Sequence, residues 1–238
     1  MQPKILEMRT GYLDNNDHLA RKLRTRFSNA RLLVVHLVSS PGSGKTLLLE
    51  RTLLLLKQTG YRAAALVGDL TANGDASGLE ATGLPVRHVL ATGKSHLDAQ
   101  LIEQHVDGLR LNELDFLFIE NVGDLAHPSA TDLGEHVRAV LLSVTEGEDQ
   151  PLKYPSIFRS SDMAVISKTD LAGTVVYNRV AVRGAIRSIR PDMPVLEVSA
   201  STGAGMTEWL RYLLVRRAVV LITGDSWRAD VGAAGVAP

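Results

Sequence analysis

The stretch from Leu32 to Lys57, LLVVHLVSSPGSGKTLLLERTLLLLK, decides the fold. Its first seven residues, Leu32 to Val38, are apolar except for His36, rich in β-branched valine and followed at once by a Ser/Pro/Gly turn. That pattern predicts a strand buried on both faces. Thr46 to Lys57 predicts a helix. Between them, Ser39-Ser40-Pro41-Gly42-Ser43-Gly44-Lys45-Thr46 fits the phosphate-loop pattern, with Ser39 in place of its first glycine. Gly42 and Gly44 let the backbone N–H groups around Ser43 converge on phosphate oxygens, and the start of the helix adds its positive end. Lys45 would bridge the outer phosphates, and the Thr46 hydroxyl would ligate Mg²⁺.

Outward from this unit the same alternation repeats. AAALVG at 63–68, VRHVLA at 86–91, DFLFIE at 115–120, MAVISK at 163–168 and PVLEVSA at 194–200 predict further strands. Helices are expected from about His96 to Arg110 and over 176–190, with a polar loop between 121 and 162. Strands alternating with helices imply an α/β fold: three layers, a doubly wound and mostly parallel sheet with helices on both faces, as in phosphate-loop NTPases. At the N-terminus, Leu19, Leu23 and Phe27 share one stripe of an amphipathic helix over Leu13–Phe27, with Asp14 and Asn15 as its caps. Such a helix either pads the domain or docks a partner or second subunit. The expected organisation is an arm over 1–30, one catalytic domain over 31–223 and a frayed tail over 224–238.

Composition narrows the function. The 238 residues hold 26 basic and 26 acidic side chains, which argues against nucleic acid or an anionic membrane as the main partner. There is no cysteine, so disulfides, thiol nucleophiles, iron–sulfur clusters and thiolate zinc sites are excluded by counting. The N-terminus has no continuous apolar core and no run is long enough to span a bilayer, so a soluble, cytoplasmic protein is expected.

Two more strand ends carry chemistry. Glu120-Asn121-Val122-Gly123 closes DFLFIE in the acid-x-x-Gly arrangement, where the acid attends Mg²⁺ or its water and the glycine amide senses a γ-phosphate. Ser167-Lys168-Thr169-Asp170 closes MAVISK and resembles a guanine-reading loop: the Asp170 carboxylate can accept from both the ring N–H and the exocyclic amino group of guanine. Lys168 would lie along the base plane, and the Ser199-Ala200-Ser201 backbone would face the guanine oxygen. Asp69 and Asp75 follow the second strand, where either would place Mg²⁺ or the attacking water, or else close a turn and cap a helix.

Read in order, SSPGSGKT, GDLTANGDA, ATGKSHLDA, FIENVGDLAHPSA, PLKYPSIFRSSD and ISKTDL resemble the HypB family of hydrogenase nickel-incorporation GTPases, of the SIMIBI class. The resemblance runs from the N-terminal arm to about residue 215, and the ENVGDL and PLKYP blocks are not generic GTPase features. It implies a GTP-hydrolysing, Mg²⁺-dependent nickel-delivery factor that dimerises with GTP. Its implied partners are a HypA-like nickel metallochaperone and a hydrogenase large-subunit precursor. By position, Gly42 to Thr46 would hold phosphates and Mg²⁺, Lys45, Asp75 and Glu120 would serve Mg²⁺ and hydrolysis, and Lys168 and Asp170 would read guanine. Lys153, in PLKYP, would also touch the nucleotide.

One departure stands out. Relatives build a metal site from a Cys-His pair in a TGK-x-C-H block and a cysteine in the ENVG block, contributed by two subunits. Here the first block reads Thr92-Gly93-Lys94-Ser95-His96, one residue short, and His127 stands where the second cysteine would be. The N-terminal cysteine motif and His-rich tract of some members are also missing. His96 and His127 would form a four-imidazole Ni²⁺ or Zn²⁺ site across a dimer, weaker than one with thiolate because imidazole does not offset the metal's charge. Otherwise both are hydrogen-bonded switch-loop histidines. His18, His36, His88, His105 and His136 show no paired spacing and read as structural. The competing readings are a metal-independent regulatory GTPase that gates partner docking, a passive metal-binding module, and an ATPase.

Overall fold

A computed structural model of the chain describes residues 2–69, 77–91, 96–125 and 131–223, with side chains described from residue 13 onward except at Ser77. Seven strands form one sheet: β1 (Leu33–Ser39), β2 (Ala63–Asp69), β3 (Val86–Leu90), β4 (Phe116–Glu120), β5 (Val137–Ser143), β6 (Met163–Ser167) and β7 (Val195–Glu197). Their order is β3-β2-β4-β1-β5-β6-β7, and every pairing is parallel. The expected "mostly parallel" sheet is therefore wholly parallel among the described residues.

Alternation along β1 explains the three layers. Leu33, Val35 and Leu37 face one side, where they meet Leu48, Leu49, Leu53 and Leu56 of α2 (Lys45–Gln58) and Trp209 and Leu213 of α8 (Met206–Thr223). Val34 faces the other side, with Ala20, Leu23 and Phe27 of α1 (Gln2–Asn29) and Ile102 and Val106 of α4 (Ala99–Val106), the short α3 (Ser77–Glu80) coming between β2 and β3 in the chain. Val38, on that same side, lies over Ile157 and Phe158 of α6 (Pro155–Ser160) and Val182 and Ile186 of α7 (Arg179–Ile189). Each fully buried Leu, Val or Phe side chain contributes about 1.5–3 kcal/mol of transfer free energy. Trp209 is buried with its Nε1–H donating to Thr52 Oγ1 at 2.8 Å, so its one polar atom is satisfied.

Several boundaries differ from the sequence reading, each for a local reason. Helix α1 starts at Gln2, so Asp14 and Asn15 lie inside it rather than at its cap; Pro3 falls in the first turn, where its missing N–H has no helical partner to lose. The expected helix over 96–110 shortens to Ala99–Val106, and its start is fixed at Ala99 by the Asp98 side chain, which caps it by accepting from Leu101 N at 2.9 Å. Residues 121–162 are not one polar loop. They contain β5, signalled by the apolar run Ala139 to Val144, together with two short helices, α5 (Gln150–Lys153) and α6. Helix α8 was not anticipated either.

The topology places the site. From β1 the chain winds toward β2 on one side of the sheet and later returns to β5 on the other, so the carboxyl end of β1 is where the strand order reverses. Ligands of open α/β sheets bind at that crevice. Register puts Leu37 of β1 beside Glu120 of β4, and Ser39 beside Leu141 of β5.

Candidate active site

Gly42 and Gly44 both have positive φ, at 74° and 87°, and Gly44 is the residue from which α2 starts. A side chain would be strained at either position. The loop they form aims its backbone across the end of β1, with Lys45 and Thr46 as the first helical residues. Thr46 Oγ1 donates to Glu120 Oε1 at 2.6 Å, and Lys45 Nζ lies 3.7 Å from the same oxygen and 3.3 Å from Ser39 Oγ. Burial pushes the Lys45 amine below the usual lysine range, and the Glu120 charge opposes that shift. Burial likewise pushes Glu120 above the usual carboxylate range, with the Lys45 charge pulling it back. Glu120 Oε2 and Ser43 Oγ are buried with no hydrogen-bond partner. An orphaned carboxylate oxygen beside a threonine hydroxyl fits a hard cation that prefers oxygen ligands.

The segment after β4 is seated on this loop. A Cβ at Gly123 would stand 3.0 Å from Pro41 Cα and 3.1 Å from Pro41 N, so a larger residue would have to push the phosphate loop away by a few tenths of an ångström. From the other side, Ser167 Oγ donates to the Ser43 carbonyl at 2.6 Å and Lys168 Nζ to the Gly42 carbonyl at 2.6 Å. Lys168 itself takes a left-handed conformation, φ 58°, which folds its stem over Gly44. Beyond it lies a cavity of about 230 Å³ lined by Gly44, Leu47, Ser167, Lys168, Asp170, Ala200 and Ser201. Hydrogen bonding from the Ser199 hydroxyl holds Asp170 below the usual carboxylate range. Ser199 is buried, and its Oγ lies 2.9 Å from Ser201 Oγ. The residues expected to bind phosphate and those expected to read the base thus meet at this cavity, where Gly44 faces Lys168 and Asp170.

Of the other expected site residues, Lys153 stands apart, whereas the Asp69 carboxylate is near enough to act electrostatically on both Lys45 and Glu120. Lys153 is exposed on α5, pairs with Asp149 at 2.8 Å and does not line this cavity. Asp69 Oδ2 is 2.7 Å from His88 Nδ1. Asp75 and His127 lie outside the described residues, so the proposed roles of both are carried by sequence alone.

Residues 33–197 match the family described as CobW/HypB/UreG, nucleotide-binding domain. Over 217 residues the chain is 42% identical to the hydrogenase maturation factor HypB of Escherichia coli strain K12, covering 91% of this chain and 74% of that one. It is 38% identical to a probable hydrogenase maturation factor HypB of Methanocaldococcus jannaschii, covering 88% of this chain and 94% of the relative. The crystal structure of HypB from Helicobacter pylori in complex with nickel superposes with a TM-score of 0.81 at 33% identity, over 90% of this chain and all of that one. The chain belongs to the HypB family of hydrogenase maturation factors.

As a HypB family member without cysteine, the chain must hold any transition metal by imidazole and oxygen. Among the described residues, no group of three or more His, Asp or Glu is arranged as a metal site. His96 is half-buried and its Nε2 lies 3.0 Å from Thr131 Oγ1. The next residue, Leu97, donates its N–H to Asn121 Oδ1 at 3.1 Å. Asn121 and Thr131 are the two ends of the stretch that contains His127, so both ends of that stretch touch the His96–Leu97 dipeptide.

Sequence reasoning missed the buried network around this contact. Glu135 Oε1 accepts from Arg138 Nε at 2.8 Å and stands 3.5 Å from His36 Nδ1, while its Oε2 accepts from Leu133 N at 2.8 Å. Arg138 Nη2 also donates to the Thr131 carbonyl at 2.8 Å. Arg24 of α1 grips Asp132 with two bonds of 2.6 and 2.7 Å. No local motif announces these partners, because they meet only through the fold. Reading His36, His88, His105 and His136 as structural agrees with their contacts, which are to side-chain and backbone groups of the fold.

Proposed function

We propose that the chain is a Mg²⁺-dependent GTPase that delivers nickel during [NiFe]-hydrogenase maturation, with nucleotide state and dimerisation controlling the metal. The observation that carries the nucleotide part is the seating of Ser167 and Lys168 on the phosphate loop, which joins phosphate and base recognition in one groove. Loop amides from Gly42 to Thr46 and the Lys45 amine hold the phosphates. Thr46 and Glu120 hold Mg²⁺, which when bound neutralises charge on the outer phosphate oxygens. A water oxygen bonds to the γ-phosphorus as the bond to the β,γ-bridging oxygen breaks. GDP and phosphate form, and Asp75 takes the water's proton in this reading. Catalysis here is mainly positioning and electrostatics, so the rigidity given by Gly123 on Pro41 is itself functional.

Nickel is the cargo. In this reading His96 and His127 hold it across a GTP-bound dimer, and hydrolysis relaxes the loops and releases it. A HypA-like metallochaperone would supply the metal, a hydrogenase large-subunit precursor would receive it, and the cytoplasm is the expected compartment. No helix among the described residues is long and apolar enough to cross a membrane. The metal-independent alternative is not favoured, because the relatives are named maturation factors and one is solved with nickel.

The base reading is tested by Asp170→Asn. Guanine then meets a donor where it needs an acceptor, whereas xanthine carries an oxygen in place of the exocyclic amino group. Fluorescent GDP affinity should fall by at least roughly 100-fold, with xanthosine diphosphate regaining much of it. An unchanged preference for GDP over both ADP and xanthosine diphosphate contradicts the guanine assignment.

A further inference from the structure

The carboxamide of Asn121 occupies a singular position. Asn121 is 1% exposed and directly follows the Mg²⁺-side acid Glu120. Its Oδ1 accepts from Val122 N at 2.9 Å, within its own segment, and from Leu97 N at 3.1 Å, in the loop of His96. Its Nδ2 can only donate, so His36 Nε2, 2.9 Å away, must present a lone pair to it. His36 then carries its proton on Nδ1, which faces Glu135 Oε1. Glu135 is held in turn by Arg138 and by Leu133 N. His36 stands in β1, three residues before the phosphate loop begins. A side chain fixed from below by β1 and bonded above to two different loops leaves those loops little freedom to move independently.

We infer that Asn121 is the positioning residue that transmits the placement of the Glu120–Gly123 segment to the loop carrying His96, with Thr131 as a second anchor. This rests on the reading of Glu120–Gly123 as the segment that responds to the γ-phosphate. Gly123 is pressed on Pro41 of the phosphate loop, so a displacement of the segment at Gly123 is felt at Asn121, two residues away. Leu97 N follows the carboxamide, and His96 follows Leu97. Thr131 Oγ1, ten residues after Asn121 in the chain, bonds the His96 ring directly. The coupling is therefore built from Asn121 and Thr131, to which this reading gives no role in holding nucleotide or metal. A purely structural Asn121 would stabilise the fold without making His96 sensitive to nucleotide state.

The test follows the His96 imidazole by nitrogen-15 NMR in the full chain, loaded with Mg²⁺ and either GDP or a non-hydrolysable GTP analogue. Wild-type should show distinct His96 ring shifts in the two states. Asn121→Ala should lose at least half of that difference while still binding fluorescent GDP. Thr131→Val, which exchanges a hydroxyl for a methyl and keeps the shape, should also reduce the difference, and it decides the matter alone if Asn121→Ala does not fold. Asn121→Asp retains an acceptor for Leu97 N and should restore the difference. The inference is overturned if wild-type His96 is indifferent to nucleotide, or if the folded variants keep the full wild-type difference. Nickel calorimetry on the same samples separates this from the cargo reading. A His96 difference lost in the variants but with no nickel bound by wild-type supports the Asn121 link and removes nickel. Nucleotide-gated nickel binding with an unmoved His96 does the reverse.

Discussion

The two ends of the groove are built differently. At the base end, the loop from Ser167 to Asp170 is bonded straight to the phosphate loop, by Ser167 on Ser43 and Lys168 on Gly42. At the switch end, among the described residues, the loop carrying His96 is bonded to Asn121 and Thr131, and Asn121 in turn to His36 of β1, which faces Glu135. Direct backbone contacts suit a site that must keep one shape for one base. A relay of buried side chains suits a site whose geometry has to answer to another ligand. The contrast teaches that the two loops are held in different ways, the base-end loop by bonds to the phosphate loop itself and the histidine loop by side chains bonded to the segment after β4.

The comparison can be broken most severely at the part both ends share. Lys45→Ala removes the charge that faces Glu120 and the phosphates, and steady-state GTP turnover should fall by at least roughly 100-fold, as for loss of a principal electrostatic group. Turnover within a few-fold of wild-type would mean that the groove is not the hydrolytic site.

Next in size is the relay. Glu135→Gln removes the carboxylate charge facing the Arg138 guanidinium, which is 4% exposed and is left with neutral acceptors such as the Thr131 carbonyl. Breaking such a buried pair costs about 3–5 kcal/mol, and thermal melting should drop by roughly 2–4 °C for each kcal/mol in a domain of this size. A melting temperature unchanged within error would show that the network is not what holds the 131–136 stretch.

The smallest expected effect lies at the base end. The bond from Ser199 holds the folded-state pKa of Asp170 below that of the unfolded chain. A depressed carboxyl pKa stabilises the fold above the unfolded value, and the contribution is lost as pH falls through the folded value. Ser199→Ala should therefore melt slightly below wild-type at neutral pH, with the gap closing as the solution becomes strongly acidic. A gap that widens on acidification contradicts the assigned direction.

The base end and the phosphate loop were legible in the sequence because each is a short contiguous motif at the end of a strand. SSPGSGKT and SKTD need only their flanking β1 and β6 to be placed, and their residues meet in the structure. The wholly buried β5 was missed, despite the apolar residues from Ala139 to Leu142, because Glu135 and His136 before it and Arg138 at its second position make its start read as loop; Arg138 is held there by Glu135 and the Thr131 carbonyl. The relay itself was illegible: His36 and Glu135 lie 99 residues apart and meet only because β1 and β5 are neighbours. A lone histidine in an apolar strand carries no sign of its partners. Asp75 and His127, the two residues most needed to finish the mechanism, lie outside the described residues and remain proposals from the motif blocks.

The central claim is that nucleotide state governs a cysteine-free metal site, and calorimetric titration of Ni²⁺ tests it most directly. The full chain, loaded with Mg²⁺ and either a non-hydrolysable GTP analogue or GDP, is compared with His96→Ala and His127→Ala. The account predicts binding at least roughly tenfold tighter in the GTP-analogue state, a difference of about 1.4 kcal/mol, and loss of that binding in either histidine variant. Equal affinity in the two nucleotide states, or affinity indifferent to both histidines, would contradict it.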